Sequence, residues 1–98
     1  MLNLISKFYY YKAVEEAVNL HLIKIKDGVK LYNILKYGKL TCEICGKPIR
    51  KNDNKKYHLS FDHIIPKAEG GLNTLKNLRI THCVCNNNRG GKLARKYK

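Results

Sequence analysis

The sequence predicts a small α+β domain held together by a bound metal ion and preceded by a helical segment. Three observations indicate this architecture: apolar residues at helical spacing near the N-terminus, two short strand-like stretches in the second half, and two clusters of metal-ligating residues around those stretches. A chain of 98 residues is long enough for one domain with a thin core, which gains stability from a metal cross-link. We therefore place the helical segment at residues 1–38 and the metal-stapled domain at residues 39–98.

Apolar residues recur at helical spacing through residues 4–22, which predicts the first helix. They are Leu4, Phe8, Tyr11, Val14, Val18 and Leu22. Residues 22–32 leave two alternatives. Asp27-Gly28 is a tight-turn signal that fits a β-hairpin, or it separates the first helix from a short helix over residues 29–37 that ends at Gly38. We favour the short helix.

The second half shows the pattern of a small zinc-binding domain. A tight knuckle is predicted at residues 41–46, strands over 57–61 and 78–80, and a helix from residue 85 onward. Pro66 and Gly70-Gly71 indicate an irregular excursion between the two strands.

The charge balance favours a partner that carries phosphates. The chain has 20 Lys and Arg against 7 Asp and Glu, and residues 41–98 hold +9 of the net +13. The alternative is that the surplus lysines are solvated surface charge. No uncharged apolar run approaches the roughly 20 residues that span a bilayer. We therefore expect a partner that carries phosphates, no membrane, and an intracellular, cytoplasmic protein, which includes a viral or mobile-element protein made in a host cell.

All four cysteines fall in two clusters, which suits metal ligation in a reducing compartment better than disulfides. Cys42 and Cys45 are separated by two residues and supply two thiolates. Pairing His82 with Cys85 repeats the two-residue gap, whereas pairing Cys83 with Cys85 gives four thiolates with a one-residue gap. We favour His82 and Cys85 as the other two ligands of a structural Zn²⁺.

Asp62 and His63 lie between the clusters and form the candidate reactive pair. Adjacent side chains on a strand point to opposite faces, so the two serve one site only if the backbone bends there. A histidine titrates near neutral pH, which suits a general base. An amide such as that of Asn77 can accept a hydrogen bond from its other ring nitrogen.

These residues, taken together, resemble a known motif. The sequence resembles the HNH nucleases of the ββα-metal superfamily, whose fold is treble-clef-like, over about residues 39–92. The matching segments are Asp62-His63-Ile64-Ile65-Pro66, Gly70-Gly71, Asn77-Leu78-Arg79, His82-x-x-Cys85-Asn86 and Arg89-Gly90, with Cys42-x-x-Cys45 upstream as in the zinc-stapled members. Residues 1–38 carry no part of the resemblance.

The resemblance implies a metal-dependent endonuclease that hydrolyses DNA phosphodiester bonds and leaves a 5′ phosphate. By position, His63 is the general base and Asn77 holds its ring in orientation. Asp62 and Asn86 bind the catalytic divalent ion, and Asn86 departs from the histidine of the literal motif. A carboxylate and an amide oxygen suit Mg²⁺ or Mn²⁺.

Four basic residues are candidates for phosphate contacts: Arg79, Arg89, Lys92 and Arg95. Two other function classes compete with the nuclease. One is a non-catalytic zinc-binding module that binds nucleic acid, and the other is a structural zinc domain that binds a partner. A homodimer through helix 4–22 is the alternative to packing of that helix on its own domain, which is the simpler arrangement.

Overall fold

Two helices precede an antiparallel strand pair, and a further helical stretch follows the second strand. The computed structural model describes residues 4–51 and 54–87, with side chains from Lys7 onward. The elements are α1 (Leu4–Asn19), α2 (Ile25–Tyr37), β1 (Leu59–His63), β2 (Leu78–His82) and a helical stretch at residues 83–87, here α3. Short 3₁₀ turns lie at Lys55–Tyr57 and Lys67–Glu69. The predicted α+β architecture is confirmed.

The second helix replaces the β-hairpin that was the alternative for residues 22–32. The favoured helix is confirmed, but it begins at Ile25, so Asp27 and Gly28 lie in its first turn. Gly28 is buried, and a Cβ there would lie 2.7 Å from Val18 Cγ2 and 2.7 Å from Leu75 Cδ2. Glycine therefore serves the close approach of α1 to α2, rather than the tight turn that the dipeptide suggests.

The end of α2 follows the sequence prediction. Gly38 adopts φ 85° in the left-handed region, and its N–H donates to the carbonyl oxygen of Ile34 at 2.7 Å. Glycine takes up this conformation without a Cβ clash, which ends the helix.

The first helix ends at Asn19, three residues before the predicted end. Val14 is buried and the Tyr11 ring packs edge-on against the Tyr32 ring of α2, with centroids 5.1 Å apart. Phe8 and Leu22, at the ends of the apolar stripe, are 55% and 73% exposed. Among the described side chains of the stripe, only those in the middle are therefore covered.

The two strands pair in antiparallel register, with Leu59 opposite His82 and His63 opposite Leu78. Strand β1 lies two residues later than predicted and includes the Asp62-His63 pair. Side chains alternate between the faces of the sheet, so Phe61 and His63 share one face while Asp62 belongs to the other.

The hydrophobic core joins α2 to the strand pair. Val29 of α2 packs with Leu78 and Ile80 of β2, and these three are surrounded by partly buried apolar side chains. The core is thus shared across residue 38, and the predicted division of the chain at that point stays a prediction. Within the described residues, no helix has both the length and the apolar character needed to cross a membrane.

Candidate metal cluster and catalytic site

A tight knuckle brings the first two cysteines together. Thr41 and Pro48 form an isolated antiparallel bridge, and the Cys42 N–H donates to the Lys47 carbonyl at 2.9 Å. Gly46 reverses the chain with φ 78°, and its N–H donates to the Cys42 carbonyl at 2.8 Å. The predicted knuckle at residues 41–46 therefore forms, and it turns Cys45 back towards Cys42.

The two halves of the metal cluster meet as the sequence predicts. One ligand atom from each of Cys42, Cys45, His82 and Cys85 lies within 4.8 Å of the others. The Cys45 and Cys85 sulfurs lie 3.3 and 3.9 Å from His82 Nδ1. Cys83 lies outside this group, and its sulfur accepts a hydrogen bond from Asn87 Nδ2 at 3.6 Å. The preference for His82 over Cys83 is confirmed, and the set is a Cys₃His cluster of the kind that binds zinc.

The surroundings of His82 orient its ring for ligation. Its Nε2 lies 3.2 Å from the Pro48 carbonyl oxygen, which accepts the proton of that nitrogen and leaves the Nδ1 lone pair for the cluster. The Tyr57 ring packs edge-on against the imidazole at 5.8 Å. His82 is only 4% exposed. The ligand is therefore held in one tautomer and one orientation.

The thiols of the cluster differ in acidity. Burial opposes ionisation of Cys42, but backbone N–H groups, including those of Cys45 and His82, donate to its sulfur and lower its pKa to about 7. Burial and the neighbouring sulfurs of Cys42 and Cys45 raise the pKa of Cys85 to about 12. Three thiolates at this separation repel one another, so full ionisation requires a cation between them.

Further hydrogen bonds fasten the knuckle to β2 and α2. The Glu43 N–H donates to the Ile80 carbonyl at 2.9 Å, and Glu43 Oε2 accepts from the Ile80 N–H at 3.3 Å. The Asn33 side chain pairs with both backbone groups of Thr41 at 2.8 Å each. Asn33 is buried, and the pairing ties α2 to the residue just before Cys42.

At the opposite end of the strand pair, His63 is half-buried and closes β1. Its Nε2 lies 2.6 Å from Oδ1 of Asn73, in the loop between the strands. An amide oxygen only accepts, so Nε2 carries the proton and Nδ1 keeps its lone pair. Asn73 therefore tethers the ring as a general base requires, whereas the side-chain hydrogen bonds of Asn77 go to the loop backbone.

The predicted orienting residue Asn77 acts on the loop backbone. Its Oδ1 accepts from the Ile65 N–H at 2.8 Å, and its Nδ2 donates to the carbonyls of Ile65 and Leu72 at 3.2 and 2.8 Å. Its own carbonyl accepts from the Ile64 N–H at 2.8 Å. Asn77 thus holds together the loop that carries Asn73.

Asp62 is buried, at 4% exposure, and forms an ion pair with its cross-strand neighbour. Its Oδ2 accepts from Arg79 Nε at 2.7 Å, and the Arg79 side chain is 24% exposed. Strand β1 continues through residues 62 and 63, and the backbone bends only at Ile64 and Ile65, so Asp62 and His63 leave the end of the strand on opposite faces. Arg79, a candidate phosphate contact, is thus engaged with the candidate metal ligand.

Asn86 lies in α3 and contacts β1. Its Nδ2 donates to Ser60 Oγ at 2.9 Å and to the Phe61 carbonyl at 3.3 Å. Ser60 shares a sheet face with Asp62, which is two residues further along the strand. The structure therefore brings Asp62 and Asn86 to the same face of the sheet. The amide nitrogen of Asn86 is anchored to β1, and its amide oxygen takes no part in these two hydrogen bonds.

The remaining candidates for phosphate contacts, Arg89, Lys92 and Arg95, lie outside the described residues. Sequence reasoning missed Asn73, because a tether ten residues from its histidine follows no helical or strand period. It also missed Lys24 and Lys26, which line the cleft at His63 together with Lys67. Lys24 and Lys26 lie far from His63 in the sequence, so no local pattern connects them to it.

Comparison with known proteins gives one match. The family model described as HNH endonuclease matches residues 42–92, just over half of the chain. The matched range contains the four cluster residues and the Asp62-His63 pair. No curated protein and no solved structure matches the chain.

Proposed function

Because this chain belongs to the HNH endonuclease family, we propose that it hydrolyses phosphodiester bonds in DNA with His63 as the general base. The observation that carries the proposal is the 2.6 Å hydrogen bond between His63 Nε2 and Asn73 Oδ1. This bond fixes the proton on Nε2. The Nδ1 lone pair can then remove a proton from a water molecule that attacks the phosphorus atom.

The divalent ion that the family uses fits the donor chemistry of Asp62 and Asn86. Both supply oxygen atoms, both lie towards one face of the sheet, and the Asn86 amide nitrogen is already bound to β1. Such a site favours Mg²⁺ or Mn²⁺ over softer ions. When bound, the ion would stabilise the charge that develops on the phosphate and the leaving oxygen. The carboxylate of Asp62 must then be shared with, or released by, Arg79.

Structural zinc is the second part of the proposal. The Cys₃His cluster is closed by its own ligands, and His82 donates its outer proton to Pro48. Closed tetrahedral sets of this composition are structural rather than catalytic. A zinc ion held by this cluster would fix the start of α3, where Cys85 directly precedes Asn86.

A non-catalytic nucleic-acid-binding module is the second candidate function. The Asp62–Arg79 ion pair favours it, since a carboxylate already neutralised by a guanidinium has less need of a metal ion. This module would keep the zinc cluster and the basic surface but leave DNA intact.

Incubation of the purified protein with supercoiled plasmid and Mg²⁺ or Mn²⁺ separates the two functions. We expect nicked or linear product from the parent protein. We expect His63→Ala to cleave more slowly by a factor on the order of 10² to 10⁴, the usual contribution of a general base. Zinc content and DNA affinity serve as controls and should be unchanged.

Two outcomes would overturn the nuclease proposal. One is intact plasmid with every divalent ion tested while DNA binding persists, which supports the non-catalytic module. The other is equal cleavage by the parent and His63→Ala. Faster cleavage with Ni²⁺ or Zn²⁺ than with Mg²⁺ would contradict the oxygen-ligand assignment of Asp62 and Asn86 alone.

A further inference from the structure

The helical segment outside the family match forms one wall of the cleft that contains His63. This cleft has a volume of about 890 Å³ and is lined by Lys24 and Lys26 on one side and by His63, Lys67 and Asn73 on the other. Lys24 occupies the N-cap position of α2 without a side-chain capping hydrogen bond, and Lys26 lies in the first turn. Two separate parts of the chain therefore place ammonium groups around the same histidine.

The charge of the cleft is of one sign. Its described lining contains three lysines and no aspartate or glutamate. All three lysine side chains are exposed. Asp27, next to Lys26 in the sequence, is exposed and does not line the cleft. A concave surface with this charge concentrates polyanions near its walls.

One of the lysines is held in place over β1. Lys26 Nζ lies 5.4 Å from the ring centroid of Phe61. Phe61 lies two residues before His63, on the same face of the strand. The cation–π contact thus keeps an ammonium group on the side of the sheet where His63 lies. Because the Lys26 side chain is already held there, it loses little conformational entropy when a ligand binds.

We propose that Lys24, Lys26 and Lys67 bind phosphates of the DNA strand on either side of the one that His63 hydrolyses. The N-terminal helical segment is then part of the substrate site, rather than only a support for the core. This inference rests on the proposed function for the identity of the ligand. It adds the residues that hold the strand, two of which lie before the family match at residue 42.

Binding measurements test the inference without requiring cleavage. In a His63→Ala background, the Lys24→Gln/Lys26→Gln double variant is compared with Lys12→Gln/Lys39→Gln. The control removes the same charge from exposed positions outside the cleft. Fluorescence anisotropy with labelled duplex and single-stranded oligonucleotides is measured over a range of salt concentrations.

We expect the cleft variant to bind about 10-fold more weakly at 0.1 M salt and the control to change much less. The slope of log affinity against log salt should become shallower by about 1.8 for duplex or about 1.4 for a single strand, as expected for two lost phosphate contacts. Adding Lys67→Gln to the double variant should make the slope shallower again, by about half of that change. Lys24→Arg/Lys26→Arg should restore binding, because the charge is kept.

Equal affinity and equal slopes for the cleft variant and the control would overturn the inference, whether or not the parent protein cleaves DNA. Weaker binding by the cleft variant, together with a parent that never cleaves, would support the inference and overturn only catalysis. Circular dichroism and zinc content, unchanged between the two double variants, confirm that both are folded.

Discussion

The two ends of the strand pair are built in opposite ways. At one end, the buried residues His82 and Cys42 join Cys45 and Cys85 in a compact cluster whose ligand atoms all lie within 4.8 Å of one another. His63 lies at the other end, opposite Leu78, which is four residues or about 13 Å along β2 from His82. It lines an open cleft together with lysines. Asp62, next to His63 in the strand, forms an ion pair with Arg79. The first end is a compact cluster of metal-ligating side chains, and the second is an open surface with exposed positive charge.

This difference teaches how a thin core can support a reactive surface. The core of Val29, Leu78 and Ile80 is small, so a metal cross-link must supply much of the folding free energy. The open end can then keep exposed charge and the buried ion pair of Asp62 and Arg79. Such a pair adds little net stability, although removing one partner is costly. Breaking each end separately tests this division.

The largest effect is expected at the zinc end. Cys42→Ser, or removal of zinc by a chelator, should unfold residues 39–87, because a structural zinc contributes on the order of 10 kcal/mol and total stability is about 5–15 kcal/mol. Metal analysis and circular dichroism measure the result. Cys83→Ser is the matched control and should keep one zinc. A Cys42→Ser protein with full zinc content would contradict the ligand set.

The next effect concerns the ion pair at the open end. Arg79→Ala leaves the buried carboxylate of Asp62 without its guanidinium and should lower the free energy of unfolding by about 3 kcal/mol. Urea unfolding measures the loss. Adding Asp62→Asn should recover part of it. Excess Mg²⁺ should stabilise Arg79→Ala more than the parent, since a divalent ion can replace the guanidinium; equal stabilisation would argue against a metal role for Asp62.

A comparable but smaller loss is expected from the loop that carries the His63 tether. Asn77→Ala removes three hydrogen bonds to the backbone of Ile65 and Leu72 and should cost about 2 kcal/mol. Asn73→Ala, at an exposed position, should leave the urea midpoint unchanged and slow plasmid cleavage about 10-fold, because the His63 ring loses its tautomer partner. Equal stability losses in both variants would show that the two asparagines have the same role.

The smallest effect tests the contact of the helical pair with the same loop. Gly28→Ala places a Cβ 2.7 Å from Val18 Cγ2 and from Leu75 Cδ2. The clash outweighs the helix propensity of alanine, so a net loss of about 1 kcal/mol is expected from thermal unfolding. In a Val18→Ala background the same substitution should cost less, because only the contact with Leu75 remains. A stabilised Gly28→Ala protein would mean that the helices can separate freely.

Ligand spacing made the metal cluster predictable. Two-residue gaps between Cys42 and Cys45 and between His82 and Cys85 are local features that survive any arrangement of the intervening chain. The α+β class and the presence of α1 followed from periodicity in the same way. Strand β1 was placed two residues early, because its start at Leu59 depends on pairing with His82 rather than on its own composition.

Gly28 shows where local reasoning failed. Asp27-Gly28 is a turn signal in isolation, yet it lies in the first turn of α2 because only glycine lets Val18 and Leu75 approach. The run Tyr9-Tyr10-Tyr11 predicts a packing face on α1, yet Tyr9 and Tyr10 are 68% and 51% exposed. Whether an apolar side chain is covered depends on how far the neighbouring helix extends, which no single segment encodes.

The sequence by itself determined the family, the composition of the metal cluster and the identity of the histidine at the end of β1, because these depend on residue types at fixed short separations. Only the tertiary structure decided that Arg79 pairs with Asp62, that Asn73 tethers His63, and that Lys24 and Lys26 line the histidine's cleft. These contacts join residues 10 to 39 positions apart, and the packing of α2 on the strand pair brings Lys24 and Lys26 to the cleft. Short-range patterns carry no record of such packing.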